Sequence, residues 1–177
     1  MNDTRKLEPH FIKAKPQDDD CERDICGHCG FIDYRNPKIV VGSVLTHGGR
    51  LLLCRRAIEP RRGFWTLPAG YLEIGESVED GARREAWEEA RVRPVFDQVL
   101  AVYSVPRISQ VQIMFRGTLE SAEYAPGPES LEVALFSWAD IPWPDLAFPT
   151  VGWALRQWRD SEARSGFPPY ANPVDGL

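Results

Sequence analysis

Apolar residues along the chain fall into short blocks punctuated by glycine and proline. Residues 38–46 (KIVVGSVLT) and 50–57 (RLLLCRRA) are rich in Val, Ile and Leu. His47-Gly48-Gly49 separates them, and the pattern predicts a β-hairpin with a Gly-containing turn. Residues 60–76 (PRRGFWTLPAGYLEIGE) are dense in Gly, Pro and aromatics, the composition of a functional loop. Ser77 is placed to cap a helix, with Asp80 three residues on, and residues 78–90 continue without proline. Three more strand-like runs follow at 95–105, 110–119 and 132–139, the last two separated by a Pro/Gly loop (AEYAPGPES). Residues 150–164 space their apolar positions as an amphipathic helix, and an irregular tail ends the chain. The first twenty residues are polar and expected to be loosely held. No internal repeat is visible. These elements predict an α/β fold: a mixed sheet with one central and one C-terminal helix.

At 177 residues the chain is the size of one ordinary domain with a small appendage, long enough to bury a core without cross-links. Lys plus Arg number 21 against 26 Asp plus Glu, a net charge of −5, which disfavours general affinity for nucleic acid. No apolar run approaches the roughly 20 residues of a membrane span. The N-terminus lacks the apolar stretch of a signal peptide, so a cytoplasmic location and no membrane partner are expected. Cys21, Cys26 and Cys29 crowd together, the last two in the knuckle-like Cys26-Gly-His-Cys29. In a reducing compartment such a cluster reads as a metal site, or as nothing, rather than a disulfide framework. Cys54, inside LLLC, reads as a small buried hydrophobe.

Most informative is Arg84-Glu85-Ala86-Trp87-Glu88-Glu89. At about 100° per residue, Glu85, Glu88 and Glu89 share one helical face, where like charges destabilise an isolated helix. A hard divalent cation with oxygen ligands is the natural counterpart; a merely solvated acidic face is the other reading. The wider spacing favours the cation. Gly70, Glu76 and Arg84 complete G-x5-E-x7-R-E-A-W-E-E-A-R-V, which resembles the Nudix box G-x5-E-x7-R-E-U-x-E-E-x-G-U, U being aliphatic. Arg91 departs from the box glycine at the helix exit, where a left-handed residue is common and costs Arg more than Gly.

The resemblance implies a Nudix α/β/α sandwich with a mixed central sheet and a short N-terminal zinc-ribbon-like arm. The division it suggests is an arm at 1–36, a hydrolase domain at 37–165 and a tail at 166–177. By the same resemblance, Glu85, Glu88 and Glu89 hold Mg²⁺ or Mn²⁺ with the carbonyl of Gly70, and Glu76 and Arg84 form a structural ion pair. Metal-bound water is a stronger nucleophile, and one carboxylate must accept its proton. Glu88, Glu89 and the loop residue Glu132 are the candidates.

The runs from Asn36 to Ser77 and from Pro126 to Phe148 are similar to the zinc-ribbon branch that includes plant-type ADP-ribose/FAD pyrophosphatases. That branch implies hydrolysis of ADP-ribose, FAD or a related dinucleotide with release of AMP. Trp65, Phe64 and Tyr103 offer flat faces for a ring, though each is more often core. Arg55, Arg56, Arg61, Arg62 and Arg107 offer forks for phosphate. Gln112 and Gln110 are candidates for base or ribose contact. Relatives of the branch carry two C-x2-C knuckles. Here only Cys26 and Cys29 remain, so structural Zn²⁺ would need Cys21 with His10 or His28, and a metal-free arm is the favoured reading. Capped RNA and nucleoside triphosphates remain other substrate classes, and a non-catalytic nucleotide-sensing module is the alternative outside the enzymes. Homodimerisation is the family's habit.

Overall fold

In the polar N-terminal stretch, strands pair locally instead of building a core. The computed structural model describes residues 10–174 and divides the chain into two units, 1–36 and 37–177. In the first, β1 (Phe11–Ala14), β2 (Arg23–Cys26) and β3 (Ile32–Asp33) form a three-stranded antiparallel sheet. Asp24 is paired with Lys13 and Arg35, each at 3.2 Å. The knuckle is tied by Gly30 N–H to Cys26 O at 2.9 Å and Cys26 N–H to Phe31 O at 2.7 Å.

In the second unit the hairpin forms as the sequence predicts. β4 (Lys38–His47) and β5 (Arg50–Arg56) are joined by Gly48 and Gly49, with φ of 55° and 75°, the positive values a two-residue turn needs to match strand twist. Two short strands in the Gly/Pro loop follow: β6 (Trp65–Thr66) on β5 and β7 (Ala69–Tyr71) on β4. Then come α1 (Val78–Ala90), β8 (Pro94–Val105), β9 (Gln110–Leu119), β10 (Ser130–Phe136) and α2 (Pro149–Ser161). The sheet order is β10-β5-β4-β9-β8. β4 and β9 run parallel and the other pairs antiparallel, so the sheet is mixed.

Period-two alternation sorts the core into two faces. Val44, Leu51 and Leu53 pack with Val151, Ala154, Leu155 and Trp158 of α2. Leu45, Leu52 and Cys54 pack with Ala86 and Ala90 of α1. Each fully buried leucine contributes about 1.5–3 kcal/mol. The two helices therefore cover opposite faces. α2 stops at Ser161, short of the expected 164, where the Arg116 guanidinium binds the carbonyls of Ser161 at 2.6 Å and Arg164 at 3.1 Å. Beyond it the chain returns along β8: Tyr170 and Leu100 are bonded through N–H to O at 2.8 Å, and Val102 N–H reaches Tyr170 O at 2.9 Å.

α1 is held at both ends. The Ser77 hydroxyl accepts from Asp80 N–H at 3.1 Å, satisfying one orphan donor of the first turn. At the other end Arg91 takes the left-handed conformation, φ 58°, in the place where glycine would be easier. The Pro/Gly loop then crosses over, with Ala125 N–H on Ala90 O and Gly127 N–H on Glu89 O, both at 3.0 Å. A Cβ on Gly127 would lie 1.6 Å from the carbonyl oxygen of Glu88. Gly127→Ala must lift this loop and break both bonds. At about 1 kcal/mol for each bond, a loss of roughly 2 kcal/mol is expected in urea denaturation; an unchanged midpoint would show the loop to be unattached.

Candidate active site

The buried side of α1 is unusual in chemistry. Its inward positions are Gly81, Ala82, Glu85, Ala86, Glu89 and Ala90, so two carboxylates lie where a structural helix would place leucines. Glu85 is 8% and Glu89 5% exposed. Charged groups are not buried without a partner at small cost. Glu89 Oε2 accepts from Ala69 N–H at 3.2 Å. Burial, then the charge of Glu85, pushes its carboxyl up to about 8, against smaller opposing effects of the Ala69 amide and Arg56. Burial likewise raises Glu85, partly offset by Arg84. A Cβ on Gly70 would sit 2.3–2.5 Å from the Glu85 carboxylate, so only glycine lets the β7 backbone lie against that group.

Arg84 organises the solvent side. Its Nε donates to Glu76 Oε1 at 2.6 Å and its Nη2 to Glu76 Oε2 at 3.1 Å, a bidentate pair that holds the Glu76 carboxyl below its usual range. Nη2 also reaches the Tyr71 carbonyl at 2.9 Å, fixing β7 to α1. Nη1 touches Glu85 Oε1 at 2.7 Å and Glu88 Oε2 at 3.0 Å. Glu88 is thereby drawn outward, and among the described residues no three His, Cys, Asp or Glu side chains converge as a closed metal site. What the site does provide is a hard, all-oxygen donor set around two buried, mutually repelling carboxylates, with a glycine cradle beside them. That set fits a divalent cation such as Mg²⁺ or Mn²⁺.

Not all the expected site residues gather here. Tyr103 is not a stacking platform: it is fully buried, with its hydroxyl on Gln157 Oε1 at 2.6 Å. Trp65 packs edge-on against Phe136, centroids 4.9 Å apart. Arg55 is engaged with the Gly63 carbonyl at 2.9 Å and Glu132 at 3.6 Å. Glu132 therefore lies on the exposed side of β10, opposite Arg55 in the ladder. Arg107 is exposed on the turn Pro106–Ile108. Gln112 donates to Gln110 at 3.2 Å, and Gln110 to the Tyr71 hydroxyl at 3.3 Å; Gln112 and Tyr71 both lie opposite Val40.

One residue that the sequence did not single out, Glu129, and one of the expected phosphate forks, Arg56, make their charges felt at the carboxylates. Glu129, from the same Pro/Gly loop, adds its charge to those felt by Glu85 and Glu89, and Arg56 partly neutralises Glu89. Arg56 is fixed by Nε on Pro60 O at 2.8 Å and lies over Phe148. The strand register shifts between Ser130 and Glu132, an irregularity that sequence alone does not reveal.

In the N-terminal unit, the zinc site considered for Cys26 and Cys29, the less favoured reading, and the zinc-ribbon-like arm find no support. Cys21, Cys26 and Cys29 are free thiols, the His10 and His28 rings are 6.1 Å apart, and no cluster of three ligands forms among the described residues. The Cys26 thiol is instead lowered by the amides of His28 and Cys29. No helix among the described residues is long and apolar enough to cross a membrane. Cys54 is buried beside Glu89, and that burial raises its thiol well above the usual range.

The raised Glu89 carboxyl makes a stability prediction for the metal-free protein. Because its folded value of about 8 exceeds the ordinary 4.5, the contribution to stability is full below about pH 4.5 and is lost as pH rises through about 8. One proton corresponds to at most about 1.4 kcal/mol per pH unit. Denaturation of chelator-treated protein should show falling stability between pH 5 and pH 8 (roughly the window set by these values), with a flatter profile in Glu89→Gln. Equal slopes in the two proteins would contradict a buried, proton-holding Glu89.

A mixed sheet between two helices, with acidic groups buried under a glycine backbone, defines an α/β domain whose oxygen-rich site suits a divalent cation. Residues 36–156 match the family model of the NUDIX domain. The chain belongs to that family and is a Nudix hydrolase of the pyrophosphatase type. It is 31% identical over 119 residues to an ADP-ribose pyrophosphatase of Methanocaldococcus jannaschii, covering 65% of this chain and 69% of that one. To an NAD-capped RNA hydrolase NudC of Stutzerimonas stutzeri it is 34% identical over 113 residues, 62% of this chain but only 39% of the relative. A crystal structure of a NUDIX hydrolase from Nitrosomonas europaea superposes with a TM-score of 0.86 at 40% identity, over 94% of this chain and 96% of that one. Enzymes of this family generally use divalent metals such as Mg²⁺ or Mn²⁺.

Proposed function

We propose that the protein hydrolyses the diphosphate of ADP-ribose or a related nucleoside diphosphate derivative such as FAD, by water attack at phosphorus with release of AMP. The observation that carries this reading is the pair of buried glutamates, Glu85 and Glu89, lying under the Gly70 backbone with only partial neutralisation by Arg56. The similarity to an ADP-ribose pyrophosphatase supports the substrate class, as does the resemblance to plant-type ADP-ribose/FAD enzymes.

Glu85, Glu88, Glu89 and the Gly70 carbonyl are the groups that would hold Mg²⁺ or Mn²⁺. Such a cation lowers the charge on phosphate oxygens and acidifies bound water. The chain's own residues do the rest. Arg84 keeps the loop fixed against α1 through Glu76 and Tyr71. Arg56 is placed to offset charge on the diphosphate. Glu88, Glu89 and Glu132 are the candidates to accept the water's proton, joined by Glu129, whose charge is felt by both buried carboxyls. We place the catalytic domain at 37–165, the arm at 1–36 and the tail at 166–177, in a cytoplasmic homodimer. A panel of ADP-ribose, FAD, NAD⁺ and nucleoside triphosphates with Mg²⁺ or Mn²⁺, read by product mass, tests the proposal. AMP with ribose phosphate or FMN is the expected outcome; orthophosphate release from triphosphates alone would contradict it.

A further inference from the structure

The N-terminal unit carries a pair of thiols that the diphosphate chemistry does not use. β2 and β3 form a hairpin in which Asp24 stands opposite Asp33 and Ile25 opposite Ile32. Gly27, His28, Cys29 and Gly30 lie in its turn. Cys26 anchors both ends of that turn: its N–H donates to Phe31 O at 2.7 Å and its carbonyl accepts from Gly30 N–H at 2.9 Å. Gly30 makes the reversal at φ 76°, a value glycine takes without steric cost. A third bond, from Gly27 N–H to His10 O at 2.8 Å, ties the turn to the chain entering β1. The His10 ring lies so close that a Cβ on Gly27 would sit 2.8 Å from its Cδ2. The turn therefore has a fixed shape.

That shape sets two sulfurs side by side. The amides of His28 and Cys29 and the Cys29 thiol are all turned onto the Cys26 sulfur. Cys26 is half-buried, Cys29 is exposed, and both are free thiols. Among the described residues no third His, Cys, Asp or Glu completes a metal set with them. We propose that Cys26 and Cys29 form a thiol–disulfide exchange site whose substrate is a low-molecular-weight disulfide. The Cys26 thiolate attacks one sulfur of that disulfide, breaks its S–S bond and releases one thiolate. Cys29 Sγ, giving its proton to solvent, then attacks the Cys26 sulfur. The Cys26–Cys29 bond forms and a second thiolate leaves. The protein gives up two electrons and two protons, and the small disulfide becomes two thiols. A small dithiol runs the sequence in reverse.

The geometry favours exchange over a structural cross-link. A four-residue turn keeps its end Cα atoms within about 7 Å, and a disulfide needs roughly 4.4–6.8 Å. Amides directed at a sulfur favour its thiolate, the form that attacks. Because Cys29 is already beside Cys26, the second step is intramolecular and gains the advantage of proximity. The loop that closes is short, so the bond removes little freedom from the unfolded chain, and in a reducing compartment such bonds are transient. Cys21 is exposed but precedes β2, outside the turn, with its N–H on Asp19 Oδ1 at 2.9 Å. Cys54 is buried, with its thiol raised by that burial, and serves as the unreactive internal control. No step uses Glu85 or Glu89, so the exchange site stands or falls separately from the proposed hydrolysis.

The test exposes reduced, full-length protein to oxidised glutathione, quenches in acid and reads intact mass and mapped peptides. Wild type should lose its two thiol hydrogens and yield a peptide cross-linked through Cys26 and Cys29, and dithiothreitol should restore the starting mass. Cys29→Ser should stop at a single glutathionyl group on Cys26, because nothing resolves the mixed disulfide. Cys26→Ser should lose the cross-link, and Cys21→Ser should oxidise as wild type does. Cys54 should stay unmodified until denaturant is added. The wild-type result decides the matter even if a variant fails to fold. A cross-link to Cys21, a persistent glutathionyl adduct on wild type, or reaction only in denaturant would each overturn the proposal. So would one equivalent of zinc in protein purified without chelator that disappears in Cys26→Ser.

Discussion

Glu89→Gln should lower kcat on ADP-ribose by about 10²–10⁴-fold while leaving the fold intact. Glutamine has nearly the same shape but carries no charge, and Glu89 is buried against β7 with Oε2 on the Ala69 amide. In the metal-free protein the Glu89 carboxyl already favours its proton, held up to about 8 by burial. Replacing it by a neutral amide therefore removes little that the empty fold uses, and above neutral pH it should stabilise that fold. What disappears is a negative ligand, an effect confined to cation-dependent turnover. Steady-state kinetics beside chemical denaturation separates the two. A variant with normal kcat would remove Glu89 from the chemistry; one that unfolds would make its role structural.

Gly70→Ala should reduce kcat by roughly 100-fold, the scale set by displacing a reacting group by about 1 Å. The new Cβ would fall 2.3 Å from Glu85 Oε1 and 2.5 Å from Oε2, so the carboxylate must swing away. Its nearest support is Arg84 Nη1, already at 2.7 Å. The obstruction is the end of a side chain, not backbone, so the stability change should stay within about 1 kcal/mol, an ordinary value for a single substitution. In Gly127→Ala the obstruction is the Glu88 carbonyl, and stability responds first. The contrast is measurable: Gly70→Ala loses activity with an unchanged urea midpoint, and Gly127→Ala moves the midpoint. Full activity in Gly70→Ala would show that Glu85 does not need the glycine cradle.

Much of this arrangement was legible because local signals agreed. The Ser77 cap and the proline-free run to Ala90 gave α1 its bounds, and Gly48-Gly49 gave the hairpin. The spacing from Gly70 to Glu89 marks the acidic cluster in the sequence itself. Arg91 adopts the left-handed exit despite being no glycine, because the loop packed on the last helical carbonyls and the following β8 hold it there. Strands β6 and β7 were missed, since two or three residues do not show a period. Tyr103, a candidate ring face that is more often core, is core here, because its burial depends on α2, whose Gln157 accepts its hydroxyl. Glu129 ends the Pro/Gly loop and Glu132 lies in β10 opposite Arg55, past a register shift after Ser130 that the sequence does not reveal. That Arg84 would bind Glu76, Glu85 and Glu88 together is a tertiary fact, visible only once β7 lies across the helix.

The most direct test is a crystal of the protein soaked in Mn²⁺ with a non-hydrolysable ADP-ribose analogue, read by anomalous scattering. The expected result is manganese bound by the carboxylates of Glu85 and Glu89 and the carbonyl oxygen of Gly70, with Glu88 released from Arg84 toward the metal and the diphosphate bridging to it. Ordered diphosphate at α1 with no anomalous peak among these glutamates, or manganese bound elsewhere on the chain, would contradict the account.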